Sequence, residues 1–156
     1  MTRQIKVGKI KIGGGAPVVI QSMAKTDTRD VDATVKQIRE LEKVGCELVR
    51  VAVKDFEGAN SIKKIKRKIK IPLSADIHFD YRLAILAMEN GADKIRLNPG
   101  NIHKEDQIIA VAKLAKKLKV PIRVGVNSGS VSKAPVKNLS GLMVKTALDY
   151  IKLLEK

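Results

Sequence analysis

Downstream of residue 17 the sequence repeats one pattern five times: a short strand-like run, then apolar residues at helical spacing. The runs cover residues 18–23, 48–53, 73–79, 94–98 and 122–127. The helical stretches carry Val35, Ile38, Leu41 and Val44; Ala59, Ile62, Ile65 and Ile69; Leu83, Ala84, Ala87 and Met88; Ile108, Val111, Ala112 and Ala115; and Leu142, Thr146, Ala147, Tyr150, Ile151 and Leu154. Spacings of three and four residues put each set on one helix face. Thr28 or Asp30 can cap the first helix, and Gly45 and Gly91 can end the first and third. Strict alternation of strand and helix implies right-handed βαβ crossovers and a parallel sheet. The units echo each other: residues 44–51 resemble 90–97, and 70–73 resemble 119–122.

Strand side chains alternate between two faces. Val49, Val51 and Val53 therefore oppose Arg50 and Ala52. Ala75, Ile77 and Phe79 oppose Asp76 and His78. Ile95 and Leu97 oppose Arg96 and Asn98, and Ile122, Val124 and Val126 oppose Arg123, Gly125 and Asn127. In an open doubly wound sheet both faces are covered, and the strands read as continuous apolar runs. Here only one face is apolar. A βα barrel accounts for this, with helices outside and the polar face turned to the axis near the mouth. Barrel sites lie at the C-terminal ends of the strands, where Asn98, Asn127 and His78 fall. The expected fold class is therefore α/β, of (βα)8 TIM-barrel type. Closure takes eight strands and typically ~250 residues. This chain has 156 residues and five such strands. The expected organisation is a partial barrel over residues 1–156, with five βα units over 18–156. Residues 3–12 alternate Ile and Val with Lys around Gly8, which predicts a β-hairpin ahead of them. A polar loop with Gly129, Pro135 and Gly141 precedes the last helix.

Three arginines on neighbouring inward faces need anions. Arginine does not shed its charge, and an unpaired buried ion costs several kcal/mol. Asp76 balances one of them. The surplus suits a doubly charged anion, and the guanidinium fork suits phosphate. Asn98, Asn127 and Ser128-Gly129-Ser130 can add neutral donors. The competing reading is an internal Arg–Asp network that only supports the barrel. Asp76 and His78, two residues apart on one face, are the candidates for proton transfer. His78 suits a proton donor or a metal ligand, and a histidine that merely hydrogen-bonds substrate or Asp76 fits as well as a catalytic one. His103 has no partner in view and reads as surface.

Net charge is +15, which fits nucleic acid, anionic metabolites or a merely basic surface. Lys63, Lys64, Lys66, Lys68, Lys113, Lys116 and Lys117 fall on one-sided helices, as a solvated face does. No aromatic residues interleave with them as a stacking platform requires. No apolar run is long enough to span a membrane. The single cysteine, Cys46, excludes an internal disulfide, fits a reducing cytoplasm, and reads as a small buried residue. One cysteine does not hold an iron–sulfur cluster.

Several stretches, in order, carry a resemblance. They are Gly13-Gly14-Gly15-Ala16-Pro17-Val18-Val19-Ile20-Gln21-Ser22-Met23, Thr26-Asp27-Thr28-Arg29-Asp30, Val49-Arg50-Val51-Ala52-Val53, Ala75-Asp76-Ile77-His78-Phe79-Asp80-Tyr81-Arg82, Arg96-Leu97-Asn98-Pro99-Gly100-Asn101 and Arg123-Val124-Gly125-Val126-Asn127-Ser128-Gly129-Ser130. Together they resemble the 4-hydroxy-3-methylbut-2-enyl diphosphate synthases of the non-mevalonate isoprenoid pathway. The resemblance implies an N-terminal barrel and, beyond this chain, a C-terminal domain with a [4Fe-4S] cluster. It implies a two-electron reductive opening of methylerythritol cyclodiphosphate with loss of water. Flavodoxin or ferredoxin supplies the electrons, and the full-length enzyme is a cytoplasmic homodimer. It further implies that Arg50, Arg96 and Arg123 hold the diphosphate. Asp76, His78, Asn98 and Asn127 would line the same pocket. The cluster ligands would lie outside this chain, which is then expected to be inactive alone. The alternatives are a basic nucleic-acid-binding module and another phosphate-binding βα barrel, such as a pterin-type synthase.

Overall fold

The computed structural model describes residues 2–131 and 137–156. Pro135 of the expected polar loop lies outside the described residues. β1 (Ile5–Val7) and β2 (Ile10–Ile12) form the hairpin, antiparallel, with Val7 opposite Ile10. Gly8 turns it at φ +53°, in the left-handed region that glycine tolerates. A Cβ there would stand 3.0 Å from Pro72 and from Asp93, so the hairpin tip presses on the start of the central strands.

β3 (Gln21–Met23), β4 (Leu48–Val53), β5 (Leu73–Ile77), β6 (Lys94–Leu97) and β7 (Ile122–Val124) form one sheet in sequence order, all parallel. The connecting helices are α1 (Val31–Lys43), α2 (Phe56–Lys66), α3 (Tyr81–Glu89) and α4 (Glu105–Leu118). One-turn α5 (Ser128–Val131) and α6 (Leu139–Leu154) follow. The core lies between helices and sheet. Val49, Val51, Val53, Ala75, Ile77, Ile95 and Leu97 meet Ile38, Ile62, Ile65, Leu83 and Ile108, all but excluded from solvent. At about 25 cal/mol per Å2 of apolar surface, each such side chain contributes ~1.5–3 kcal/mol.

Short side-chain caps start the long helices except α4. Asp30, not Thr28, caps α1 by accepting from Ala33 N at 3.0 Å. Thr28 instead donates to Ala52 O at 2.6 Å, tying the loop after β3 to the end of β4. Asp55 and Asp80 cap α2 and α3.

Five sequence expectations are corrected. β3 starts at Gln21 rather than residue 18, and Val18 and Ile20 are 93% and 60% exposed. It is an edge strand, paired only with β4 among the described residues, and that pairing begins where Ile20 O accepts from Glu47 and Leu48. Val44 leaves the apolar face of α1. It caps the helix end and is exposed. β5 stops at Ile77. His78 O accepts from Asp80 N at 2.8 Å around Phe79, whose φ is +60°. This γ-turn throws the Phe79 ring into solvent, off the apolar face. β7 ends at Val124, since the chain coils into α5 soon after Gly125 N donates to Leu97 O. On α6, Tyr150 is buried, while Val144, Leu148 and Ile151 face outward.

Candidate functional site

The inward faces of the strands assemble by register into two rows. Met23 pairs with Arg50, Arg50 with Ser74, and Ser74 with Lys94. One layer nearer the C-terminal ends, Ala52 pairs with Asp76, Asp76 with Arg96, and Arg96 with Arg123. The face is concave. Lys94 Nζ on β6 donates to Gln21 Oε1 on β3 at 2.9 Å. On a flat sheet these strands would be about 14 Å apart, three strand spacings.

Asp76 is the hub of the upper row. It is 4% exposed, and Arg96 Nη1 donates to its Oδ1 at 3.1 Å. Arg50 Nε lies 3.7 Å from Oδ2. Arg96 is held a second time, by Nη2 donating to Gly125 O at 2.7 Å. Gly125 makes room for it, because a Cβ there would stand 2.2 Å from Arg96 Nε. Arg50 turns its Nε and Nη2 toward Met23 Sδ at 3.1 and 2.9 Å. A thioether is a weak acceptor for a guanidinium. Arg123 is exposed at the rim. Burial, then the charges of Arg123 and Arg50, press the Lys94 ammonium down to about 8. The two rows thus set four cations against one carboxylate among the described residues. That imbalance favours an anion over the concavity.

At the ends of β3–β5 a cleft of about 420 Å3 opens between Met23, Ala52 and His78 on one side and Thr26, Thr28 and Lys54 on the other. Its Arg29 is already bound twice over by Asp27, at 3.0 and 2.6 Å. That contact holds the Asp27 carboxyl down at about 2. His78 is half-buried just past β5, its N–H given to Val53 O and its ring edge-on to Phe79.

Of the sequence-selected residues, Arg50, Asp76 and Arg96 touch directly, and Arg123 adjoins them by register. His78 stands one step beyond Asp76 toward the mouth. Asn98 is buried at the end of β6. Its Oδ1 accepts from Gly100 N at 3.1 Å, which shapes the Pro99–Gly100 turn. Asn127 is exposed beyond β7. His103 is exposed in the loop before α4. Gln21, Met23, Ser74 and Lys94 were not singled out in the sequence. Their parity places them inward, two residues before Met23, Asp76 or Arg96 or level with Arg50. The lower layer was legible by counting back along each strand.

The residues present do not fit an iron–sulfur cluster, which takes cysteine thiolates. Cys46 is buried before β4, at the opposite end of the sheet from the cleft, and donates to Leu48 O at 3.2 Å. Among the described residues no group of three or more His, Cys, Asp or Glu is placed to hold a metal. None of the described helices is long and apolar enough to cross a membrane.

Comparison with solved structures places the same architecture in unrelated sequences. A 7,8-dihydropteroate synthase from Vibrio fischeri superposes with TM-score 0.68 at 13% identity, over 99% of this chain and 62% of that one. A phospho-2-dehydro-3-deoxyheptonate aldolase from Thermotoga maritima gives 0.62 at 13% identity, over 97% and 44%. At such identities the likeness is one of fold. Sequence relatives are far nearer. Proteins named 4-hydroxy-3-methylbut-2-en-1-yl diphosphate synthase (flavodoxin) are 54% identical in Caldanaerobacter subterraneus, over 100% of this chain and 45% of the relative. In Anoxybacillus flavithermus the figure is 55%, over 99% and 43%. The chain therefore spans somewhat under half the length of the curated relatives it matches. The GcpE TIM-barrel domain family matches residues 2–156, nearly every position. With a family model over nearly every position and relatives at 54% and 55% identity, the chain belongs to the GcpE TIM-barrel domain family.

Proposed function

We propose that this chain is the substrate-binding barrel portion of a 4-hydroxy-3-methylbut-2-enyl diphosphate synthase. The carrying observation is the inward face, where Arg50 and Arg96 share the carboxylate of Asp76 and Arg123 stands beside Arg96 in register. In this reading the arginines hold the diphosphate of methylerythritol cyclodiphosphate. Asp76 fixes Arg50 and Arg96 in place. His78, Asn98 and Asn127 border the same space at the strand ends and orient the substrate's hydroxylated part. Asp76 and His78 are the groups positioned to hold or move a proton as water leaves.

Residues 3–12 are the hairpin and 18–156 the first five βα units of the barrel. The remaining strands and the iron–sulfur domain belong to the rest of a protein the length of the relatives. The full enzyme is an oxidoreductase of the cytoplasm and a homodimer. The relatives' names support flavodoxin as electron donor, and ferredoxin is the alternative donor. The [4Fe-4S] cluster would be held by cysteines outside these 156 residues. The 156 residues alone would bind substrate without turning it over.

The test is a calorimetric titration of the folded chain with methylerythritol cyclodiphosphate, with Arg96→Ala beside it. Saturable binding that Arg96→Ala weakens at least tenfold supports the proposal; such a loss is the scale of a bidentate charge-assisted contact, about 1.4 kcal/mol or more. Binding indifferent to Arg96→Ala, or none, overturns it.

A further inference from the structure

The lower row of the inward face is short of acceptors. Ser74 is fully buried, and its Oγ finds no hydrogen-bond partner among the described residues. A buried hydroxyl without a partner is rare and calls for an explanation, a bound water or ion among them. Its two register neighbours are cations, Arg50 on β4 and Lys94 on β6. Lys94 is 7% exposed, and the acceptor it meets is the neutral amide oxygen of Gln21. An ammonium brings three donors. Arg50 rests two of its nitrogens on a thioether. The carboxylate nearest them, Asp76, sits one layer nearer the mouth, where Arg96 engages it at 3.1 Å and Arg50 Nε reaches it only at 3.7 Å. The residues that carry guanidinium, hydroxyl and ammonium therefore sit level on adjacent strands, whose backbones run about 4.8 Å apart. The hydroxyl has no acceptor among the described residues, the ammonium has a neutral one, and the guanidinium has a thioether and one carboxylate oxygen 3.7 Å away.

We propose that Arg50, Ser74 and Lys94 form the floor of the anion site, a second position one layer below Arg96 that takes a tetrahedral oxyanion group. The inference deepens the proposed function and rests on it for the ligand: the group would be the deeper phosphoryl of the cyclodiphosphate. A free oxyanion of the same shape offers the same acceptors. Three oxygens of such a group match the fork, the hydroxyl and the ammonium. The charged groups facing Lys94 are Arg50 on β4, Asp76 on β5, Arg96 on β6 and Arg123 on β7; β3 presents neutral Gln21. Cations outnumber the carboxylate, and the lysine is held below its ordinary range accordingly. An anion on the floor reverses that pressure, so binding and protonation of Lys94 support each other.

The experiment titrates the chain, Lys94→Met, Lys94→Arg and Ser74→Ala with methylerythritol cyclodiphosphate and, separately, with sodium sulfate, at about pH 7 and about pH 9.5. Neither anion changes its own ionisation in that interval, whereas the lysine does. Folding of each variant is read by circular dichroism, and the Lys94 side-chain nitrogen by NMR as each anion is added. Expected is about a tenfold weaker affinity for Lys94→Met at pH 7, the scale of one charge-assisted hydrogen bond. Ser74→Ala binds severalfold more weakly. The unsubstituted chain loses affinity between the two pH values, and Lys94→Arg keeps its affinity at both. Sulfate binding that depends on Lys94, without cyclodiphosphate binding, upholds the floor and overturns the substrate. Cyclodiphosphate binding that ignores Lys94, Ser74 and pH upholds the substrate and overturns the floor. Binding of neither anion to the folded chain overturns both.

Discussion

Arg96 crosses the concave face directly over Gly125: a methyl group on that glycine would lie 2.2 Å from Arg96 Nε. The glycine's φ is ordinary, so space is the reason for a glycine there, not backbone strain. β6 carries the guanidinium, and the end of β7 leaves the slot it passes through before reaching Asp76 and the Gly125 carbonyl.

Gly125→Ala should therefore act as an arginine variant that removes no charge. The guanidinium must swing away from Asp76, and overpacking of this kind costs about 1–3 kcal/mol. In a chain of this length that lowers Tm by roughly 2–4 °C per kcal/mol. Anion binding should weaken nearly as much as in Arg96→Ala. Gly58→Ala on α2 is the control, since the added atom would have its nearest neighbour at an ordinary 3.4 Å. Calorimetry on both variants checks this; equal affinities would show that Arg96 does not need its slot.

Lys94 makes a second prediction, about stability rather than binding. Its folded-state value is depressed to about 8, against an unfolded value near 10.4. Below pH 8 the lysine is charged in both states, and its burial is a constant penalty. Between about pH 8 and 10.4 the unfolded chain binds more protons than the folded one, so stability rises with pH there. Lys94→Met removes the penalty. It should stabilise the chain by about 2 kcal/mol at pH 7, and the advantage should shrink toward pH 10. The same substitution weakens anion binding, so stability and function trade against each other at this position. Urea denaturation at pH 7, 8, 9 and 10 measures it. A constant difference between the two proteins would mean the lysine is not desolvated.

The sequence made the outer half of the sheet easy to read and the inner half only partly so. Val49, Val51, Val53, Ile95 and Leu97 are apolar, alternate strictly and are buried as alternation requires. Arg50, Asp76, Arg96 and Arg123 stood out because charge on a strand of a parallel sheet is anomalous. Ser74 and Gln21 did not, being ordinary surface residues in type. Lys94 was hidden by its position at a strand start, where lysines are usually solvated. What makes it unusual is the curl of the sheet, which brings Gln21 to it across two strands. Strand ends failed for local reasons. Alternation continues through Phe79 in the sequence, but the turn at His78–Asp80 is set by the Asp80 cap of α3. Val18 and Ile20 look like strand residues, yet a strand forms only where a neighbour offers hydrogen bonds, and on β3 that begins at residue 21.

Tyr150 offers the last prediction. It is the buried residue of α6, 5% exposed, and its hydroxyl has no partner among the described residues. A polar group in that position costs about 1–3 kcal/mol, which the ring's own burial must offset. Burial alone pushes the phenol above its ordinary range. Tyr150→Phe keeps the ring and removes the stranded hydroxyl, so it should stabilise the chain by about 1 kcal/mol at pH 7. The gain should grow in alkali. Above about pH 10 the unfolded tyrosine ionises while the folded one stays neutral, so the unfolded state binds fewer protons and stability falls. Phenylalanine has no such loss. Thermal melts at pH 7 and pH 10.5 decide it: a Tm for Tyr150→Phe at or below the parent's at both values would mean that the hydroxyl is satisfied, by water or by a residue beyond those described.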